Sequence, residues 1–184
     1  MGSQEADKNP VVLKLREWDA QAVAEVLEFR GEITIIVPRE HLRRATEYLS
    51  TEPSLRFSFL SDITTLDRFP IEPRFEVNYH LLSLDRRERI RLKVRLSGSD
   101  PTVPSVTPVW PTANWHEREN FDLFGIRFEG HPDLRRILMP DDWEGHPLLK
   151  DYQVQEFYHG IKVPYVGDPP SIGMDVYRYQ DSEP

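Results

Sequence analysis

Residues 75–82, FEVNYHLL, and residues 89–96, RIRLKVRL, decide the fold. In the first, Phe75, Val77, Tyr79 and Leu81 alternate with Glu76, Asn78 and His80. In the second, Ile90, Leu92, Val94 and Leu96 alternate with Arg89, Arg91, Lys93 and Arg95. A period of two sends one row to a core and the other to the opposite face. Residues 84–88 supply the turn of a hairpin. Upstream, residues 57–64 read as a strand and residues 33–37 as a buried, β-branched one. Pro38 stops that strand and opens a helix with Leu42, Ala45 and Leu49 at helical spacing. Asp19 is placed to cap an earlier helix carrying Val23, Val26, Leu27 and Phe29, with Gly31 as its C′ residue. This order predicts an α+β fold, a mixed β-sheet with helices packed on one face.

Downstream, residues 97–108 form a loop with three prolines, and a short helix follows. From about residue 140 periodicity fades and prolines interrupt every candidate element, predicting a long extended C-terminal tail. The expected organisation is a flexible stretch 1–10, an α+β domain 11–97, a loop, helix and turn 98–139, and the tail 140–184. The tetrapeptide at 129–132, EGHP, recurs at 144–147, which reads as reuse of a turn.

Composition narrows the function. Apolar residues make up 39% of the 184, too many for a disordered chain, and no stretch approaches the ~20 apolar residues that span a bilayer. The first ten residues show no basic region followed by an apolar core, so no secretory signal is expected. Zero cysteines exclude disulfides, thiol nucleophiles and thiolate-held iron–sulfur clusters. A net charge of −8 argues against general nucleic-acid binding, which needs a basic footprint.

Residues 110–124, WPTANWHERENFDLF, carry Trp110, Ala113, Phe121 and Phe124 as an apolar stripe, with Glu117 in the middle of it. On a helix Glu117 then projects inward. A carboxylate there is a general acid or base, a metal ligand, or half of an ion pair, and structural pairing is the commonest of the three. An unpaired buried carboxylate costs several kcal/mol, so a partner is expected, with Arg135, Arg136 or an arginine of a neighbouring subunit as candidates. Arg118 and Asp122, four apart, are spaced so that they can pair on a neighbouring face.

The run from 117 to 152, ERENFDLFGIRFEGHPDLRRILMPDDWEGHPLLKDY, resembles the signature of the complex I 30 kDa subunit family. The matching residues are Glu117, Arg118, Glu119, Asp122, Gly125, His131, Pro132, Arg135, Trp143, Gly145, His146, Pro147, Lys150, Asp151 and Tyr152, with Arg136 beside them. Leu149 stands where many members carry a basic residue, and Gln153 where many carry proline. The resemblance implies the C-type member of the NADH–quinone oxidoreductase subunits, a peripheral piece of the hydrophilic arm of respiratory complex I. On that reading the chain holds no cofactor and no metal and performs assembly. FMN, iron–sulfur clusters and quinone belong to the assembled, proton-translocating enzyme. The implied partners are chiefly the 49 kDa (D-type) subunit, with the B-type and I-type subunits. The implied place is the cytoplasmic side of the bacterial inner membrane, reached only through the complex. Related ferredoxin-dependent photosynthetic NDH complexes and membrane-bound hydrogenases have equivalent subunits.

Ordering one backbone residue costs roughly 1–2 kcal/mol, so the tail needs a large buried area to be ordered. It holds Trp143, Leu148, Leu149, Tyr152, Phe157, Tyr158, Ile161, Tyr165, Met174, Tyr177 and Tyr179, which suits a segment draped over a partner. Competing readings exist. Glu117, Glu119, Asp122 and His131 would serve a hydrolase if gathered in a cleft, yet Glu117 and Glu119 point about 200° apart on a helix. His116-Glu-Arg-Glu resembles the start of a zincin motif, but Asn120 stands where the second histidine belongs. The basic row from Arg89 to Arg95 is either a docking patch or a solvated face balanced by Glu76. An adaptor in an unrelated assembly is the remaining alternative.

Overall fold

The computed structural model describes residues 6–163. Its centre is a five-stranded mixed sheet in the order β1-β2-β5-β4-β3. The strands are β1 (Glu25–Phe29), β2 (Glu32–Ile36), β3 (Phe59–Asp67), β4 (Phe75–Ser83) and β5 (Glu88–Leu96). Pairing is antiparallel except between β2 and β5. The predicted hairpin is present, with Val77 opposite Val94 and Tyr79 opposite Leu92. Phe75, Val77, Tyr79 and Leu81 are buried with Ile90, Leu92, Val94 and Leu96 in one core.

Two helices before β3 cover that apolar face. In α1 (Pro10–Trp18) the Asn9 side chain accepts the Val11 N–H at 2.8 Å, and Pro10 loses no bond because the first-turn amides have no helical acceptor. Helix α2 (Leu42–Thr51) buries Leu42, Ala45, Thr46 and Leu49, the spacing of one helical face. Trp18 stacks on Tyr48 with centroids 4.7 Å apart, fixing the two helices side by side.

The helix expected after Asp19 is not there. Asp19 does cap, accepting the Gln21 N–H, but only a single 3-10 turn (Ala20–Ala22). The chain then extends into β1, where Val26 is buried while Leu27 and Phe29 are exposed. Gly31 is no helix end. With Arg30 at φ 52° and Gly31 at φ 80°, the pair forms the two-residue turn of a hairpin between β1 and β2. Residues 6–10, expected within a flexible stretch, are anchored: Ala6 is buried, Asp7 pairs with Arg16, and Asn9 caps α1. Residues 1–5 lie outside the described chain.

After β5 the expected loop contains a short strand, β6 (Thr102–Pro104), parallel to β7 (Arg127–Glu129). Between them runs α3 (Ala113–Phe124), the helix of the signature, ended by Gly125 at φ 75°. Trp110 donates its indole N–H to the Phe57 carbonyl at 3.2 Å, and the Asn120 amide reaches the Ile63 carbonyl at 2.8 Å, so α3 is pinned to the β3 side of the sheet.

The chain divides after Asp151. In the second unit, residues 152–163 contain a small hairpin, β8 (Phe157–Tyr158) and β9 (Ile161–Lys162). His159 and Gly160, both at positive φ, form its turn. The tail residues from 164 onward, including Tyr165, Met174, Tyr177 and Tyr179, lie outside the described residues.

Candidate functional site

Glu117 faces inward from α3, as its place on the apolar stripe predicts, and is fully buried. Neither expected arginine reaches it. One carboxylate oxygen accepts the Ser105 hydroxyl at 2.7 Å and the other accepts the Val106 N–H at 2.7 Å. Two neutral donors offset only part of the desolvation, so burial pushes the carboxyl up to about 7. The Tyr79 hydroxyl, fully buried below, has no hydrogen-bond partner among the described residues. Burial and the Glu117 charge push its ionisation well above the usual phenol range. Glu117 therefore clips the segment after β6 onto α3 without a cation.

The cations go elsewhere. Arg118, spaced to reach Asp122, donates instead to the carbonyls of Arg135 (3.1 Å) and Arg136 (3.0 Å). Asp122 takes Arg136, at 2.7 Å, and its other oxygen accepts three successive amides, Ile137, Leu138 and Met139, at 2.8–3.0 Å. Burial alone would raise the Asp122 carboxyl, but the amides and Arg136 outweigh it and hold it below the usual range. Arg136 also donates to the carbonyls of Trp143 and Gly145. Arg135 turns outward to Asp133.

The second half of the signature closes on the first. His146 donates from Nδ1 to the Asp122 carbonyl at 2.8 Å and packs edge-on to Phe121. Its ring lies so close to Gly125 that a Cβ there would sit 2.7 Å from His146 Cδ2. Gly125 thus answers two demands at once, a left-handed helix end and an imidazole on its face. The Leu148 amide bonds to the Leu123 carbonyl, and the Lys150 amide to Asp67 at 2.9 Å. Asp67 also receives two guanidinium N–H groups of Arg74, which reaches on to Asp151. Burial opposes the Asp67 charge, yet Arg74 and the amides of Lys150 and Phe69 bring its carboxyl down to about 2. Residues 140–151, expected to leave with the tail, therefore fold back onto the chain's own sheet domain.

His131 engages both ring nitrogens: Nε2 donates to the Asn114 carbonyl in α3, and Nδ1 accepts the Asp133 N–H in the turn around Pro132. Burial lowers its basicity, in keeping with a neutral ring. Gly145 sits at φ 75° ahead of His146 and Pro147, and Tyr152 begins the second unit. Glu119 alone of the signature acids in α3 points to solvent and has no partner among the described residues. Glu117, Glu119, Asp122 and His131 do not converge on one cleft. Among the described residues no group of three or more His, Cys, Asp or Glu side chains is placed to hold a metal.

Sequence reasoning missed Ser105, Asp67 and Arg74. Asp67 carried a signal: it sits on the inward parity of β3 with Ile63, where a carboxylate must find partners. On the open sheet face Arg91 pairs with Glu32, Lys93 with Glu76, and Arg95 with Glu25 and Glu76. The basic row is thus balanced by carboxylates on three other strands. Among the described residues, Arg89 alone of the four lacks an ion pair.

The comparisons agree with the geometry. Residues 35–158 match the family described as the respiratory-chain NADH dehydrogenase 30 Kd subunit. The chain belongs to that family. The C-type NADH-quinone oxidoreductase subunit of Geotalea uraniireducens is 47% identical over 150 residues, covering 82% of this chain and 90% of the relative. The trypsin-resistant fragment of Nqo5 superposes with a TM-score of 0.57 at 36% identity, over 66% of this chain and 97% of the fragment. A chain of the archaeal membrane-bound sulfane sulfur reductase, a respiratory membrane complex, superposes with a TM-score of 0.64 at 25% identity, over 78% of this chain and 84% of its own.

Proposed function

We propose that this chain is the C-type structural subunit in the hydrophilic arm of a proton-translocating NADH–quinone oxidoreductase. It supports electron transfer from NADH to quinone without binding a redox centre. The observation that carries this reading is where the signature side chains go. Arg118, Asp122, Arg136 and His146 are consumed in bonds that tie residues 135–151 to α3, and both nitrogens of His131 are engaged. Those are the bonds of a rigid scaffold. With no cysteine in the sequence, thiolate ligation of a cluster is closed to this chain. On this reading flavin, iron–sulfur clusters and quinone belong to other subunits.

The partners follow from the same reading: chiefly the 49 kDa (D-type) subunit, with the B-type and I-type subunits adjoining, on the cytoplasmic face of a bacterial inner membrane. No helix among the described residues is long and apolar enough to cross a membrane. The proposal accordingly gives the chain its hold on the membrane through the complex. Residues 152–163 expose Val154, Phe157 and Ile161 around a hairpin of two-residue strands. Such a hairpin is marginal in water, which suits a segment completed by a partner. The likeness to the sulfane sulfur reductase supports a second reading, the equivalent subunit of a related membrane complex with another electron donor or acceptor. Affinity purification of the full chain from mildly solubilised membranes tests both. The first reading expects flavin and iron–sulfur subunits with NADH oxidation, the second iron–sulfur subunits without flavin. Recovery of the chain alone contradicts both.

A further inference from the structure

The loop between β3 and β4, residues 68–74, turns apolar side chains outward. Its tip, 69–73, reads FPIEP and is exposed at every position, with Phe69 at 47% and Ile71 at 55%. Turns in water are dominated by Gly, Pro, Asn, Asp and Ser. This one carries two large apolar side chains between its prolines.

The tip is also held still. The Phe69 amide donates to the Asp67 carboxylate at 2.9 Å, the Ile71 amide to the Arg68 carbonyl at 2.9 Å, and the Arg68 amide to the Arg74 carbonyl at 2.8 Å. Pro70 and Pro73 have a fixed φ. The Arg74 guanidinium lies 4.9 Å from the Phe69 ring centroid while paired with buried Asp67, so the ring rests on an anchored cation. From the other side, the Glu72 carboxylate accepts the amides of Arg74 at 3.0 Å and Gly98 at 3.1 Å. Apolar side chains on a loop already ordered lose little freedom when covered, the property of interface anchors.

The charges decide what kind of surface covers them. Arg68 lies 3.6 Å from Glu76, Arg74 is paired with Asp67 and Asp151, and Glu72 is spent on two amides. All three charged side chains of the loop are thus engaged in holding its shape. A tip that enters a lipid surface works beside free cations for the headgroups, whereas Arg68 and Arg74 are neutralised here. The loop fits an apolar pocket of a protein.

Its place in the chain decides which protein. The Lys150 amide bonds to Asp67 and the Asp151 carboxylate pairs with Arg74, so the first unit ends at the base of this loop. Residue 152 begins the segment that the subunit reading gives to a neighbour. A neighbour holding that segment is tethered at Asp151, beside the loop.

We propose that Phe69 and Ile71 plug an apolar pocket on the same neighbouring subunit that receives residues 152–163. The proposal rests on the subunit reading above and adds a contact that fixes that neighbour to the sheet domain.

The test uses the full chain in its native membranes. Photo-reactive p-benzoylphenylalanine replaces Phe69, Phe157 or, as a control at the opposite end of β4, the exposed Leu84. Positions 69 and 157 are expected to cross-link to one and the same subunit, and position 84 not to it. Separately, Ile71→Asp places a carboxylate in the apolar pocket and is expected to lower retained partner about tenfold or more, with Ile71→Leu retaining it as wild type does. The released Ile71→Asp chain is expected to unfold at the wild-type urea midpoint, which separates lost docking from lost folding. A cross-link from 69 to a different subunit than from 157, to a second copy, to residues 164–184 of the same chain or to lipid overturns the proposal. So does a signal at 69 no higher than at 84, or wild-type retention by Ile71→Asp. In each case co-purification of the wild-type chain with redox subunits leaves the subunit reading standing. Recovery of the wild-type chain alone removes that reading, and the proposal with it.

Discussion

Burial holds the Glu117 carboxyl near pH 7, whereas in an unfolded chain it releases its proton near 4.5. Between those values the folded state binds the extra proton, so stability falls as pH rises from about 4.5 to about 7 and is flat above. The full difference is on the order of 3 kcal/mol. Gln in place of Glu117 keeps an acceptor for the Val106 amide and a donor for the Ser105 oxygen, without a charge. Glu117→Gln is accordingly expected to flatten that slope and raise stability at pH 8, read by urea unfolding at pH 5 and pH 8. A parallel slope in both proteins contradicts the assignment. Asp122 behaves oppositely, since its charge is what three amides and Arg136 bind. Asp122→Ala leaves them unpaired inside the protein and is expected to cost about 3–5 kcal/mol in the same assay. The sequence showed that Glu117 and Asp122 needed partners but not which ones. Arg118, Arg135 and Arg136 are all within reach along the chain, and the choice among them depends on how residues 135–139 turn back over α3.

At the scale of elements, the join between α3 and the second signature half turns on Gly125 and His146. Gly125→Ala adds left-handed strain and a collision with the imidazole, with an expected loss of about 2–3 kcal/mol. In a His146→Ala background the collision is gone and only about 1 kcal/mol of strain is expected to remain. A double-mutant cycle with equal costs in both backgrounds contradicts the contact. The tie between β3 and residues 150–151 is electrostatic. The Asp67 carboxyl, lowered from 3.8 to about 2, contributes stability present above pH 3.8 and lost as pH falls through 2. Arg74→Met is expected to raise the midpoint of acid unfolding, measured by circular dichroism. Element legibility followed the same logic. Strands β4 and β5 and helix α2 each present one apolar row, and periodicity found them, whereas β2, buried at four successive positions, was legible as an unbroken β-branched run. The sequence from 23 to 31 has apolar residues at helical spacing, yet Arg30 and Gly31 accept positive φ and make a hairpin, pushing Leu27 and Phe29 outward. The pairing of β6 with β7 brings together segments some 25 residues apart, which no local pattern records.

On the scale of the whole molecule, the signature was legible as an identity before its physical purpose was. It reads as a row of reactive side chains, and the structure uses most of them to hold residues 117–151 as one rigid piece with the sheet. Residues 152–163 are a separate case. Amides there are expected to exchange at least tenfold faster in the released chain than in the complex, and equal protection in both contradicts a partner-completed segment. The central claim is that this chain contributes shape and no reacting group. NADH–quinone turnover per assembled complex tests it most directly, measured in membranes carrying Glu117→Gln, Glu119→Gln or His131→Gln with complex content quantified on native gels. The account predicts that complex content varies while turnover per complex stays within twofold of wild type. Full assembly with turnover reduced tenfold or more in any of the three would contradict it.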